Sequence, residues 1–286
     1  MERAKPLAAA LLPIGVFDSG VGGLTVLRAL RAALPGESYI YLGDTALLPY
    51  GTKSEHTVAR YALQAADELV ERGIKCLVVA CNTASAAALP ALQQRFSELP
   101  VVGVIEPGAR AACAASRNGR IAVLATESTV RGGAYARAIA RIRPDAQVTA
   151  IACALFVSLA EEGWTEGAVA MAAADRYLAP LRAAAAGAGA GAAASDTLVL
   201  GCTHFPVLLP VIAAAAGERV CIVDSAATTA AEVSSLLAAR ALLRPAAAGA
   251  PTTSFLATDA VSRFAAVGGR FLGTPIGAAD VELIDL

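Results

Sequence analysis

Short, wholly apolar runs recur along the chain, each separated from the next by a stretch long enough for a helix. Leu77-Val78-Val79-Ala80, Ile121-Ala122-Val123-Leu124 and Leu198-Val199-Leu200 carry no polar residue, so as strands they are buried on both faces. Alternation of such runs with helical stretches dictates an α/β protein with mainly parallel sheets flanked by helices. The spacing predicts strands near 14–17, 39–42, 76–80, 101–104, 120–124, 147–152, 197–201, 220–223 and 253–256. Helices are expected near 24–33, 54–72, 84–97, 130–142, 166–185, 206–216 and 226–243, with Thr52 and Glu55 as a capping box before the second.

With 286 residues, 56% of them hydrophobic and 16% charged, the chain can build a substantial core in one large or two medium domains. The charges are scattered and sum to −1, which excludes the basic footprint of direct nucleic-acid or anionic-membrane binding. Gly, Pro and polar residues break every apolar stretch before the ~18 residues a membrane span needs. Met1 to Leu12 superficially resembles a signal peptide. It runs into strand-like Pro13-Ile14-Gly15-Val16-Phe17-Asp18 with no cleavage motif, so a ragged N-terminus and a cytoplasmic location are expected. The Ala/Gly run from Ala183 to Gly191 is expected to end a helix and form a surface connection, and Pro245 to Pro251 forms another.

The cysteines at 76, 81, 113, 153, 202 and 221 include no Cys-x-x-Cys pair and accompany only two histidines, so reduced thiols are expected rather than disulfides or a zinc site. Cys76, Cys113, Cys153 and Cys221 read as small core residues. Cys81 and Cys202 differ, because each ends an apolar run and leads at once into small polar residues: Cys81-Asn82-Thr83 and Cys202-Thr203-His204. The carboxyl ends of parallel strands are where open α/β sheets bind ligands. A following helix also lowers a thiol's pKa from its ordinary value of about 8.5.

A weak internal repeat frames these two positions. A strand ending in Asp18-Ser19 precedes the Cys81 strand, and one ending in Thr126-Glu127-Ser128-Thr129 precedes the Cys202 strand. Two similar halves would each offer one polar and one thiol strand end to a ligand in the cleft between them. Two thiols facing one ligand from opposite sides suit proton exchange at a stereocentre.

The turn Asp18-Ser19-Gly20-Val21-Gly22-Gly23 lacks the third dinucleotide-fingerprint glycine and the P-loop's Gly-Lys-Ser/Thr ending. It suits a small ligand whose amine pairs with Asp18 while backbone N–H groups take a carboxylate; a plain capped turn is the structural alternative. Tyr50 and the Gly51 backbone, Asn82, Thr83 and Thr203 offer neutral hydrogen bonds for a carboxylate, with Thr126 and Thr129 either doing the same or capping a helix. Glu161 and Glu162 read as a solvated helix end, and His56 as structural or surface. None of Lys5, Lys53 and Lys75 stands in a Schiff-base context.

The runs Gly15-Val16-Phe17-Asp18-Ser19-Gly20-Val21-Gly22-Gly23-Leu24-Thr25, Gly43-Asp44-Thr45-Ala46 with Pro49-Tyr50-Gly51, Ala80-Cys81-Asn82-Thr83-Ala84 and Gly201-Cys202-Thr203-His204-Phe205-Pro206 together resemble the bacterial glutamate racemase family, in that family's order and across nearly the whole chain. The resemblance implies two α/β domains related by pseudo-twofold symmetry, expected over 13–105 plus 221–286 (the Asp18, Cys81 side) and 106–220 (the Cys202, His204 side). The active site lies in the cleft between them. It also implies interconversion of L- and D-glutamate with no cofactor and no metal, supplying D-glutamate for peptidoglycan and cell-wall biogenesis. Cys81 would take the α-proton from D-glutamate and Cys202 from L-glutamate, the other thiol donating to the opposite face; Asp18 would assist Cys81, and His204 Cys202. Asp18, Ser19, Tyr50, Gly51, Asn82, Thr83, Thr203 and His204 would bind substrate, with Thr126 and Thr129 as weaker candidates. The family's acidic residue falls at Glu161 or the adjacent Glu162. A homo-oligomer, expected as a dimer, and a candidate second role in binding DNA gyrase also follow from the resemblance. The chain departs from the family where a usual proline near Phe156 is replaced, with Ala154 and Ser158 in that neighbourhood. The nearest rival is a racemase acting on aspartate; hydantoin racemases and the related decarboxylases and isomerases match poorly at Asp18-Ser19 and Tyr50-Gly51.

Overall fold

The computed structural model describes residues 4–187 and 194–286. Its strands are β1 (Ile14–Asp18), β2 (Tyr39–Gly43), β3 (Cys76–Val79), β4 (Val101–Gly103), β5 (Arg120–Ala125), β6 (Gln147–Ala152), β7 (Thr197–Gly201), β8 (Cys221–Asp224), β9 (Thr253–Ala257) and β10 (Val281–Leu283). The helices are α1 (Ala4–Leu11), α2 (Leu24–Ala33), α3 (Glu55–Glu71), α4 (Asn82–Arg95), α5 (Ile105–Ala115), α6 (Glu127–Gly132), α7 (Ala134–Ile142), α8 (Ala154–Glu162), α9 (Gly167–Gly187), α10 (Leu209–Ala216), α11 (Ser225–Ala239) and α12 (Val261–Leu272). Among the described residues no helix is long and apolar enough to cross a membrane.

All strand pairs are parallel, in a six-stranded sheet of order β10-β9-β2-β1-β3-β4 and a four-stranded sheet of order β6-β5-β7-β8. Every residue of β1, β3 and β7 is buried, as continuous apolar strands require. The sequence repeat is real at the level of topology, since β2-β1-β3-β4 and β6-β5-β7-β8 share one order. In each, the chain leaves the middle strand (β1 or β5) to one side and returns on the other through β3 or β7. That reversal opens a crevice at the carboxyl ends of β1/β3 and of β5/β7. One continuous core joins the sheets: Ile14 and Val16 of the first and Val123 and Val199 of the second belong to it, and α11 packs on both α2 and α5. A second cluster, including Phe17, Val79 and Leu92, fills the far side of the first sheet under α3 and α4.

Several expectations are corrected here. The strand Cys221–Asp224, expected in the first unit, pairs with β7 in the second sheet, so the chain returns to the first unit through α11. The expected helix over 130–142 breaks at Gly133, whose φ of 63 ends α6 and begins α7. The cap of α3 is Ser54, whose oxygen accepts the Thr57 N–H, because Thr52 closes a 3-10 turn (Tyr50–Thr52) instead. The segment expected to be ragged holds α1, against which the buried Lys75 ammonium donates to the Ala10 carbonyl at 2.8 Å while pairing with buried Glu37. Of the low-complexity run, α9 extends to Gly187, and 188–191 lie outside the described residues.

Candidate active site

The Cys81 half is built on β3 and β1. Cys81 follows β3 and caps α4, its sulfur accepting the Ala84 N–H at 3.4 Å and lying 3.5 Å from the Ser19 hydroxyl. It is only 5% exposed. Burial pushes its thiol up to about 12 and the Asp18 charge adds to this, against the hydrogen bonds to Ser19 and Ala84. Cys81 is therefore a neutral thiol near pH 7. Asp18, at the end of β1, is fully buried; Oδ2 accepts the Gly20 N–H at 2.9 Å and Oδ1 has no hydrogen-bond partner. Burial raises its carboxyl, opposed by the charge of His204 and the N–H groups of Gly23, Gly20 and Ser19. The turn that carries these groups is held by the Tyr41 hydroxyl, which donates to the Gly20 carbonyl at 2.9 Å.

The Cys202 half follows β7 and has a different chemistry. Cys202 Sγ lies 3.9 Å from His204 Nδ1, and His204 Nε2 lies 3.2 Å from Glu161 Oε1 at the end of α8. Burial opposes a charged imidazole, yet the Cys202 sulfur, the Glu161 carboxylate and the Asp18 charge outweigh it and push His204 up to about 10. The hydrogen bond from His204 in turn holds Glu161 below the usual carboxylate range, burial opposing and Arg263 adding to the effect. Of the two adjacent acids, Glu161 reaches the site; Glu162 is exposed.

The halves meet directly. Cys202 lies near enough that a charge on it would push the Cys81 thiol up further. Thr25 of α2 shares its hydroxyl between the Gly22 and Thr203 carbonyls, both at 2.9 Å. Thr83, in the first turn of α4, lies 3.0 Å from Thr126 and 3.4 Å from Thr129, and Thr126 caps α6 through the Thr129 N–H. Asn82 donates its amide to the Tyr135 hydroxyl of α7 at 2.9 Å, leaving Oδ1 without a partner. A Cβ on Gly51 would meet Thr126 Cβ at 3.0 Å, which brings that turn to the same place. The N-termini of α4 and α6 thus converge with neutral donors, a setting that favours a carboxylate.

Ser19, Asn82, Thr83, Thr126, Thr129, Thr203 and Gly51 come together as expected. Tyr50 does so only through its backbone, because its buried hydroxyl donates to Asp44 Oδ2 at 2.5 Å. Thr25 closes the first motif run but is assigned no role there, and three contributors have no sequence signal: Tyr135, Arg263 and Phe271 reach the site from helices whose neighbours are far away in the chain. Phe271 packs edge-on to His204 with ring centroids 5.1 Å apart. Cys76 and Cys153 are buried as core residues; Cys113 is half-buried and Cys221 exposed, because β8 is an edge strand. Among the described residues no group of His, Cys, Asp and Glu forms a metal-ligand cluster. Lys75 is committed to Glu37, just before β3 and at the opposite end of that strand from Cys81.

Two parallel sheets that share one four-strand order, each with a thiol at the equivalent strand end, suit an isomerase of the racemase type, and the similarity to known proteins shows that class. A family model described as Asp/Glu/Hydantoin racemase matches residues 14–233, and the chain belongs to that family. Within it, this chain is similar to many glutamate racemases over nearly its full length. That of Geobacter metallireducens is 54% identical over 273 residues, covering 96% of each chain. The crystal structure of a glutamate racemase isoform from Bacillus anthracis superposes with a TM-score of 0.87 at 37% identity, over 96% of this chain and 98% of that one. The Francisella tularensis enzyme, crystallised with D-glutamate, gives 0.86 at 34% identity over 96% and 98%.

Proposed function

We propose that the chain interconverts L- and D-glutamate by proton transfer between the substrate α-carbon and two cysteines. The observation that carries this is the placement of Cys81 and Cys202 at equivalent ends of β3 and β7, with His204 beside Cys202 alone. Asp18 Oδ1 receives the substrate ammonium. Asn82, Thr83 and Thr203, with the N–H groups at the starts of α4 and α6, hold the α-carboxylate and spread the charge that builds at Cα. Acting on L-glutamate, the Cys202 thiolate takes the α-proton, with charged His204 beside it to compensate the negative sulfur. The Cys81 thiol gives its proton to the opposite face, so Cys202 ends as thiol and Cys81 as thiolate. The D enantiomer runs the same steps backwards. The closed, largely buried site supplies proximity and excludes water. The product would feed peptidoglycan synthesis in the cytoplasm, the working unit would be a homodimer, and gyrase binding would be a candidate second role.

The test is incubation of the purified protein in D₂O with L-glutamate and, separately, with L-aspartate, followed by chiral chromatography and mass spectrometry. D-glutamate carrying α-deuterium, with aspartate unchanged, is expected. Turnover of aspartate alone would overturn the substrate, and absence of exchange in both would overturn the reaction.

A further inference from the structure

The two sheets are equivalent over four strands, and the first then adds β9 and β10, which carry α12 between them. This addition has no counterpart in the second sheet, and it lands on the Cys202 side of the site. Phe264 anchors α12 to the first sheet, its ring 6.0 Å from Tyr41 and 6.4 Å from Phe255. From that base the helix reaches the other unit at three points, two of them on α8. Phe271 lies against the His204 ring. Arg263 donates to Glu161 Oε2 at 3.1 Å, and Arg270 donates to the Glu161 main-chain carbonyl at 2.6 Å.

The contacts divide Glu161 between two partners. One carboxylate oxygen is on His204 and the other on Arg263, so the carboxylate cannot turn away from His204 without releasing the guanidinium. The Arg270 contact takes one of the carbonyls that a helix leaves unpaired at its C-terminus. It also crosses Gly163, whose φ of 77 closes α8; a Cβ there would lie 2.9 Å from Arg270 Nη1. An exposed arginine contributes little stability through such a pair, and Arg263 is 59% exposed. Its orientation of Glu161 is therefore the effect with a consequence.

We propose that Arg263 is a positioning residue for the Cys202 half-reaction: seated on α12, it fixes Glu161 on His204 across the junction of the two units. The proposal rests on the two-thiol reading above and adds to it a dependence of one proton transfer, and not the other, on the seating of α12.

The variants Arg263→Gln and Arg263→Lys test this through primary deuterium isotope effects on kcat/KM, using L-[2-²H]glutamate and D-[2-²H]glutamate. An equilibrium constant of unity forces kcat/KM to fall equally in both directions, by about two- to fivefold for Arg263→Gln. The isotope effects are free to diverge. Slowing only transfer at Cys202 raises the effect for the L enantiomer and lowers it for the D enantiomer, and Arg263→Lys restores both toward the original values. Isotope effects that stay in their original ratio, or shift toward the D enantiomer, would overturn the proposal. Failure of the two-thiol reading is distinguishable, because it would show with Arg263 intact, as substantial racemisation by Cys81→Ala or Cys202→Ala. A drop in Tm with unchanged isotope ratios would mark a purely structural role for Arg263 and overturn the proposal as well.

Discussion

Gly22 and His204 touch across the junction of the two units: a Cβ on Gly22 would lie 2.5 Å from His204 Nδ1. The imidazole has nowhere to retreat, since Glu161 holds its other nitrogen and Phe271 packs against its ring. The glycine-rich turn after β1, which reads in sequence as a ligand loop, is thus also the surface on which the opposite catalytic group rests.

Gly22→Ala is therefore expected to clash with the Thr203 hydroxyl and the His204 ring together and so to strain the His204–Cys202 contact. A displacement on the ångström scale costs on the order of 100-fold in rate, and overpacking about 1–3 kcal/mol of stability. Steady-state kinetics with denaturant unfolding checks both, and an unchanged kcat/KM would show that the close approach has no role in catalysis.

His204 gives the protein a characteristic alkaline limit. It is held up at about 10 in the folded state, above its ordinary 6.5. A group raised on folding favours the folded state fully below its unfolded pKa and loses that contribution as pH rises through the folded value. Stability from this source is thus present below about pH 6.5 and declines between there and about pH 10. His204→Asn should remove that decline, so the stability difference between the original protein and the variant, measured in urea, should fall as pH rises across this window. A constant difference across the window would show that folding does not raise the pKa of His204.

How much of this was legible in the sequence depends on the range of the signal. The apolar runs at β1, β3, β5 and β7 revealed themselves because burial on both faces confines polar residues to the strand ends. Cys81 and Cys202 were found from their place at the ends of such runs. β10 was missed because Val281-Glu282-Leu283 is too short and mixed to read as a strand. With it went α12, and Arg263 could not be tied to Glu161, which is 102 residues away in the chain. Tyr50 misled for a local reason: its neighbourhood suggested a ligand contact, while Asp44 claims its hydroxyl. The strand at 221–224 was seen but placed in the wrong sheet, since an apolar run does not say which neighbour it pairs with.

The central claim is that both thiols move protons, and the most direct measurement is the racemisation rate of Cys81→Ala and of Cys202→Ala, each followed from L- and from D-glutamate. Each cysteine is 5% exposed, so circular dichroism and Tm should accompany the assay to show that the variants fold. The account predicts that each single variant falls by at least the ~10²–10⁴-fold expected for loss of a general acid or base, in both directions. A folded variant of either kind that keeps a substantial rate would contradict the two-thiol mechanism.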